Sequence, residues 1–378
     1  MTVFLMSEPA FAGTYWCRQY INGMKYECSQ NGLHLEEITG SSLSGLKKNA
    51  AEENIRPLLL LAGTTIAWIL HTVSKLSAQG VHIISVSPFL SPFSSALFRI
   101  SNVSMDYART VCSLNEYFYS FGKSKTALVG INPNSAGDIA KRDAFLEFWQ
   151  ARGRESVSGV FWNYGNLGDC CESFFQKRKE FNSVICSSDI VAIKLSSFLK
   201  ERMVSIPGDI ALAAIGDTVL GGFMRPGITT VVLDCKTIGR QAVKLYMLLA
   251  KTQSLTSLSA TISGTIQVRE STGFAPVPSN IPAVFPEISS VEPVDFYSDT
   301  DVKEIFHLEE LISHCDPLDF DILKGIFQRA KYSSLSERLH SSENTIKYRV
   351  KRMISLAHKE NRDELIALLK EYLIPENL

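Results

Sequence analysis

Short apolar runs alternate with amphipathic stretches through the first two-thirds of the chain. Residues 2–6 read as a buried strand. Trp16, Tyr20, Met24 and Cys28 then recur every four residues, the repeat of one helix face. Residues 58–62 form a second apolar run ended by Gly63. The stretch 66–78 is helical in pattern, with Gly80 placed as a C-cap, and 81–86 is another strand. The alternation continues as helix 104–121, strand 125–131, helix 138–152, strand 157–161, helix 168–180, strand 182–186, helix 190–202 and strand 209–215. Such alternation predicts parallel βαβ units in an open, doubly wound α/β sheet. About nine strands exceed one lobe, so residues 1–274 are expected to form two α/β lobes with a cleft between them. Ligands of such sheets sit beyond the carboxyl ends of the strands. The polar tips after the strands, starting with Ser7, are therefore candidate site positions.

The pattern changes near residue 275. Pro276, Pro278, Pro282, Pro286 and Pro293 fall in one short span with Glu287, Glu292, Asp295 and Asp299, which reads as an extended acidic linker over 275–300. The rest, 301–378, reads as all-α, after a helix from about Thr300 to His314. A helix at 317–330 carries Leu318, Ile322, Ile326 and Phe327 on one face. A short helix at 334–340 has Ser334 as its expected cap, with Glu337 three residues on as in a capping box. After a turn at Ser341, a third helix opens at Ser342, with Ile346, Val350, Met353 and Ile354 facing inward. A fourth spans Asn361 to Leu373. A short helix, a tight turn and a basic helix over 334–355 make a helix-turn-helix pattern.

Charge sharpens this picture. The formal net charge of −1 argues against a general polyanion binder, but nine Lys and Arg against four Asp and Glu between 321 and 360 make the C-terminal region locally basic. At 45% hydrophobic and 20% charged the chain is of ordinary globular composition. Its eight cysteines contain no C-x-x-C pair and its seven histidines no metal spacing, so reduced thiols, no metal and no cofactor are expected. Ala10-Phe11-Ala12 resembles a signal-peptidase site, but no Lys or Arg precedes it, and 58–70 is too short and too polar for a membrane span. A cytoplasmic protein without a membrane segment is expected. Gly122-Lys123-Ser124 lacks the first glycine of a phosphate loop, since Tyr117 stands there, and no catalytic motif occurs, so the chain reads as no enzyme.

Four ordered motifs resemble the effector-binding domain of the lac repressor family, of periplasmic-binding-protein type I fold. Ser188-Asp189-Ile190-Val191-Ala192 is similar to N-D-x-x-A, and 204–210 (Val-Ser-Ile-Pro-Gly-Asp-Ile) to G-x-x-V-P-x-D-I. Pro226-Gly227-Ile228-Thr229-Thr230-Val231 is similar to P-x-L-T-T-V, and Ile238-Gly239-Arg240-Gln241-Ala242 to a G-x-x-A helix start. Taken alone, each motif also suits a turn or strand that only holds the fold. The resemblance, over roughly 2–273, implies a sugar or nucleobase ligand held by an Arg. Arg142, in Lys141-Arg142-Asp143-Ala144-Phe145, is taken for that position of the pattern R-x-x-G-F; a solvated helix face is its other reading. Asp106 fits a recurring acidic cleft position or a helix N-terminal carboxylate. Ser188 replaces the family's Asn, and Gly216-Asp217 its tandem Asp, which puts a conventional hexose in doubt. Phe11, Tyr15, Phe89, Phe93, Trp162 and Tyr164 are cleft-wall aromatics or core. The expected ligand set is thus Ser7, Phe11, Tyr15, Asp106, Arg142, Trp162, Ser188, Asp189 and Asp217.

In the C-terminal region, 341–349 resembles the S-x-x-T-V-K-x-H core of LuxR-type regulators, and Asn361-Arg362-Asp363-Glu364-Leu365 their N-R-x-E-L. The usual Gly before the second helix is absent, and the usual His is Arg349. The resemblance implies double-stranded DNA as partner. Thr345, Lys347 and Arg349 are expected nearest the bases and Lys351 and Arg352 on phosphates, with Ser342, Asn344 and Tyr348 alongside. A basic dimerisation module is the alternative. The strand beginning at Thr2 leaves no expected DNA-reading domain ahead of it. Together these readings give a homodimeric transcription regulator modulated by a small molecule. Its rivals are a regulator with a degenerate cleft governed by a protein partner, and a solute sensor that binds no DNA.

Overall fold

The computed structural model describes residues 1–39, 43–87, 100–152, 159–252, 254–275 and 296–374. The first lobe contains β1 (Thr2–Ser7), α1 (Pro9–Ala12), α2 (Tyr15–Gln30), β2 (His34–Glu37), α3 (Leu43–Glu52), β3 (Leu58–Ala62), α4 (Ile66–Ser77), β4 (His82–Ser85) and β5 (Ile100–Met105). The second contains α5 (Tyr107–Ser120), β6 (Thr126–Ile131), α6 (Ala136–Gln150), β7 (Gly159–Trp162), α7 (Leu167–Lys177), β8 (Ser183–Cys186), α8 (Asp189–Glu201), β9 (Ala211–Gly216), α9 (Val219–Phe223) and β10 (Thr229–Val232). The chain then returns to pack α10 (Cys235–Lys251) on α2, adds β11 (Ser259–Ile262) to the first sheet and β12 (Thr265–Gln267) to the second.

Among the described residues the sheets run β11-β5-β4-β3-β1-β2 and β12-β10-β9-β8-β6-β7. Every pairing is parallel except that of β12 with β10. All of β3 is buried, as a central parallel strand covered on both faces must be, and its sequence is accordingly an unbroken apolar run. The edge strand β2 reads His-Leu-Glu-Glu and is mostly exposed, so apolar periodicity does not reveal it. Helices α2 and α10 touch backbone to backbone. A Cβ on Gly239 would lie 2.1 Å from the Tyr20 carbonyl oxygen, and one on Gly23 2.0 Å from that of Lys236. This contact ties the returning segment to the first lobe beside the cleft.

Five helices follow: α11 (Thr300–Ser313), α12 (Pro317–Phe327), α13 (Tyr332–Arg338), α14 (Glu343–Leu356) and α15 (Arg362–Tyr372). The expected box at Ser334 and Glu337 does not form. Helix α13 already begins at Tyr332, whose ring lies 4.9 Å below the Arg362 guanidinium. The capping box sits instead on α12, between Asp316 and Asp319. Ser342 caps α14 by accepting from the Thr345 amide, and Asn361 caps α15 by accepting from that of Glu364, as their residue types require. The α13–α14 turn passes through His340 at positive φ and is closed by the Ser336 hydroxyl, which donates to the Ser341 carbonyl at 2.5 Å. Leu335, Ile346, Val350 and Met353 are buried beneath it.

Most of the expected linker lies outside the described residues. Where described, from Phe296 on, the chain is packed. Helix α11 lies on α8 and α9, Phe223 stacks on Phe320 at 5.4 Å, and Lys194 reaches Asp301 at 3.0 Å and Glu371 at 3.4 Å. The C-terminal helices share one apolar core with the second lobe. No helix among the described residues is long and apolar enough to cross a membrane.

Candidate functional site

The loops at the carboxyl ends of both sheets enclose a cavity of about 80 Å³ between the lobes. Phe11, Trp16, Tyr20, Gly63, Thr64 and Ser87 line it from the first lobe, with Tyr107 at the crossing. Asn132, Ser135, Gly137, Asp138, Lys141, Ser187, Ser188, Ile215 and Leu233 line it from the second, and Phe296 and Tyr297 from the end of the expected linker. The lobes are closed on each other. The Ile66 amide donates to the Asn134 carbonyl at 2.8 Å, the Ala136 amide to that of Thr64 at 3.0 Å, and the Thr64 and Ser135 hydroxyls meet at 3.2 Å. Buried Glu8 fixes this junction by accepting from the Thr64 and Thr65 amides at 2.7 and 3.1 Å.

Lys141 is the cation of the cavity. Its Nζ donates to Asp138 Oδ1 and to the Ser187 carbonyl, both at 2.8 Å, and lies 4.9 Å from the Tyr107 ring centre. Asp138 also accepts from the Asn132 amide. Burial holds the phenols of Tyr20, Tyr107 and Tyr297 neutral by pushing their pKa values well up. The wall thus offers hydroxyls, one lysine–aspartate pair and aromatic faces, a surface suited to a small hydroxylated molecule.

Of the ligand set expected from sequence, Phe11 and Ser188 line the cavity. Arg142 stands one residue beyond its wall. It pairs with Asp143 and lies 5.6 Å from the Trp162 ring, which in turn stacks on Tyr164 at 6.2 Å. Counting R-x-x-G-F back from Ala144-Phe145 lands on Lys141, the signal that would have found the inward cation. Asp106 caps α5 through the Arg109 amide, and Ser188 caps α8 through that of Val191. Asp189 is fully buried away from the cavity, bonded to Thr218 and Thr230, and Asp217 pairs with Arg269 at 2.7 Å. Ser7 ends β1 with its hydroxyl buried, and Tyr15 lies behind the wall, its phenol pushed up to about 12 by burial and by Glu309. Phe89 and Phe93 lie outside the described residues. Polar residues after strands have two uses, capping the next helix and facing a ligand, and sequence alone does not separate them.

Glu309 of α11 is buried and accepts from the Val219 and Leu220 amides at 2.9 and 2.6 Å, so one side chain fastens the C-terminal unit to the start of α9. Burial pushes its carboxyl up to about 7 against the pull of those amides. A carboxyl raised in the folded state binds more protons there than in the unfolded chain, so its contribution is full below about pH 4.5 and is lost as pH rises to about 7. The expected result is a parent unfolding midpoint that falls relative to Glu309→Gln between pH 4.5 and 7. Equal pH slopes in the two proteins would contradict it.

On α14, Asn344, Lys347, Tyr348 and Lys351 are exposed, Tyr348 at 70%. Lys347 pairs with Glu343 at 2.6 Å, one turn back. Arg349 and Arg352, expected to face DNA, are turned toward α12. Arg349 bonds Asp316 and Asp319, both at 2.7 Å. Arg352 bonds Asp319 at 2.6 Å and the His314 carbonyl at 3.0 Å. Asp319 is fully buried, and a buried carboxylate needs cations beside it.

Residues 116–272 match the family model described as a periplasmic binding protein-like domain. The HTH-type transcriptional regulator GalR of Escherichia coli is 29% identical over 93 residues, which are 25% of this chain and 27% of that protein. The HTH-type transcriptional regulator RegA of Clostridium saccharobutylicum is 25% identical over 101 residues, 27% of this chain and 30% of its own. These matches therefore span about a third or less of either regulator's length. Among solved structures, a complex of the transcriptional regulator CelR with cellobiose superposes with a TM-score of 0.59 at 16% identity, covering 71% of this chain and 84% of that one. The LacI family regulator CCPA of Weissella paramesenteroides with bound sucrose gives 0.55 at 17%, covering 72% and 98%. The two-sheet α/β part is thus a periplasmic-binding-protein-like fold of the kind LacI family regulators carry.

Proposed function

We propose that this chain is a DNA-binding transcription regulator whose activity is set by a small molecule held between its two lobes. The carrying observation is the union, in one chain, of a closed interlobe cavity with a basic helix displayed after a short helix and a tight turn. Sugars in the structures of CelR and CCPA support a sugar-like effector, as does the hydroxyl-rich wall. Lys141, Asp138, Thr64, Ser135 and Ser188 serve as polar contacts and Phe11, Trp16 and Tyr107 as apolar walls. The chain binds and does not catalyse, and acts where the DNA is, in the cytoplasm. Residues 1–274 sense, and 301–378 read duplex DNA through α14, with Asn344, Lys347, Tyr348 and Lys351 outermost. One recognition helix reads few base pairs, so a homodimer on a two-part site is the working form.

The test is duplex binding by the full chain. Affinity should fall steeply with salt, because phosphate contacts release counterions. Lys351→Ala should weaken matched and scrambled duplexes alike and lower the salt slope by about one. Lys347→Ala should cost about 1–3 kcal/mol on the matched duplex. Gel-shift titrations in which neither variant differs from the parent would contradict the placement of the reading helix.

A further inference from the structure

Phe296 and Tyr297 fall at the end of the stretch 275–300 that reads as a spacer, yet both line the interlobe cavity. The Tyr297 ring lies 6.2 Å from Phe11 of the first lobe and stacks at 5.8 Å on Phe306, which stands edge-on to Trp16 at 5.7 Å. Its hydroxyl is bonded to the Thr64 side chain, and burial together with the negative charges of Asp138 and Glu8 keeps the phenol protonated. Thr64 is the residue whose hydroxyl meets Ser135 across the lobes, so the phenol ends at the junction that closes the cleft. One stacked ring, Phe306, one tilted ring, Phe11 at 55°, and hydroxyl partners at one end make a seat for a hydroxylated ring, and Tyr297 sits in it. The remaining 80 Å³ falls well short of the roughly 300 Å³ at the small end of ligand pockets.

The same segment is fastened to the second lobe. Two residues on, Asp299 caps α11 and also accepts from the Leu167 amide at the start of α7; nearly three turns later Glu309 holds the start of α9. We propose that Tyr297 is a tethered occupant of the effector seat, and that a ring-sized hydroxylated effector displaces it and thereby undocks α11 from the second lobe. This rests on the ligand-regulated reading above and gives that reading its transmission. The effector and the docked C-terminal unit compete for one seat, so each weakens the other by the same factor.

The test uses the full chain, as parent and as Tyr297→Ala, with p-cresol, the tyrosine side chain as a free molecule, as probe. Hydrogen exchange at the Val219 and Leu220 amides reports docking, since Glu309 accepts from both. The expected result is exchange at least tenfold faster in Tyr297→Ala, with p-cresol binding by calorimetry to that variant and not to the parent. Tyr297→Leu, which keeps an apolar side chain there, is run in parallel and decides the matter by the same readouts if the alanine variant does not fold. Exchange within twofold of the parent, or equal p-cresol binding by both proteins, would overturn the proposal. Duplex binding by the parent is measured alongside. Its absence would count against the regulator reading, while the exchange and p-cresol results would still decide the occupancy of the seat.

Discussion

Asp189→Ala is expected to destabilise the second lobe by about 3 kcal/mol. The carboxylate is fully buried and accepts from the Thr218 amide at 2.6 Å, the Thr218 hydroxyl at 3.1 Å and the Thr230 hydroxyl at 2.6 Å. It therefore joins the start of α8, the turn before α9 and strand β10. Burial raises its pKa while the hydrogen bonds pull it back. Gly216 and Gly221 leave it room, since a Cβ on either would approach it to 3.3 or 3.0 Å. Alanine strands one backbone amide and two hydroxyls, and unpaired buried donors cost roughly 1–3 kcal/mol each, less where a hydroxyl can turn to another acceptor. Asp189→Asn keeps an acceptor and should lose less. Calorimetry decides: an alanine variant that unfolds within 2 °C of the parent (roughly 1 kcal/mol at this size) would mean that Asp189 is not what holds this corner.

The second large effect is expected at Asp319, which touches no exposed face of α14. Its carboxylate bonds Arg349 and Arg352 of α14 and completes the capping box of α12. Alanine leaves two guanidinium groups without their buried partner. Both are partly exposed, so the cost is set at about 2–3 kcal/mol, below that of a fully enclosed pair. Helix α14 should lose its fixed tilt on α12, and duplex affinity should fall by at least tenfold on a matched site. Charge alone expects the opposite, because the substitution removes a negative charge from a basic unit. Tighter duplex binding by Asp319→Ala would show that α14 acts only as a cationic surface.

These two carboxylates mark where the sequence was readable and where it was not. The central strands were legible because β3, β6 and β9 are buried on both faces and read as apolar runs. The C-terminal helices were legible because Ser342 is a cap placed just before an amphipathic stretch and because 317–330 carries its apolar residues on one face, while the caps Asp299 and Asn361 emerge only in the structure. The edge strand β2 was not, since half-exposed edges carry no apolar pattern. The cavity was legible in its location and much less in its membership. Asp106 has the residue type and position of a ligand contact but only caps a helix, whereas Ser188 both caps a helix and lines the cavity. Arg349 and Arg352 have the types and positions of DNA contacts, and each answers a carboxylate of α12 some thirty residues away in sequence. Tyr297 gave no local signal at all. Its place depends on a contact between the far end of the chain and loops of both lobes, which periodicity and capping do not encode.

The central claim, that a molecule in the cleft governs duplex binding, is tested most directly by one titration. A duplex is first selected by the full chain from random sequences. Its affinity is then measured with and without saturating sugars, taking D-glucose, D-ribose, sucrose and cellobiose in turn. The expected result is that at least one sugar binds once per chain and changes duplex affinity by about 5- to 150-fold, with the duplex changing that sugar's affinity by the same factor. Duplex affinity that stays constant at saturation with every sugar that binds, or a chain that selects no duplex, would contradict it.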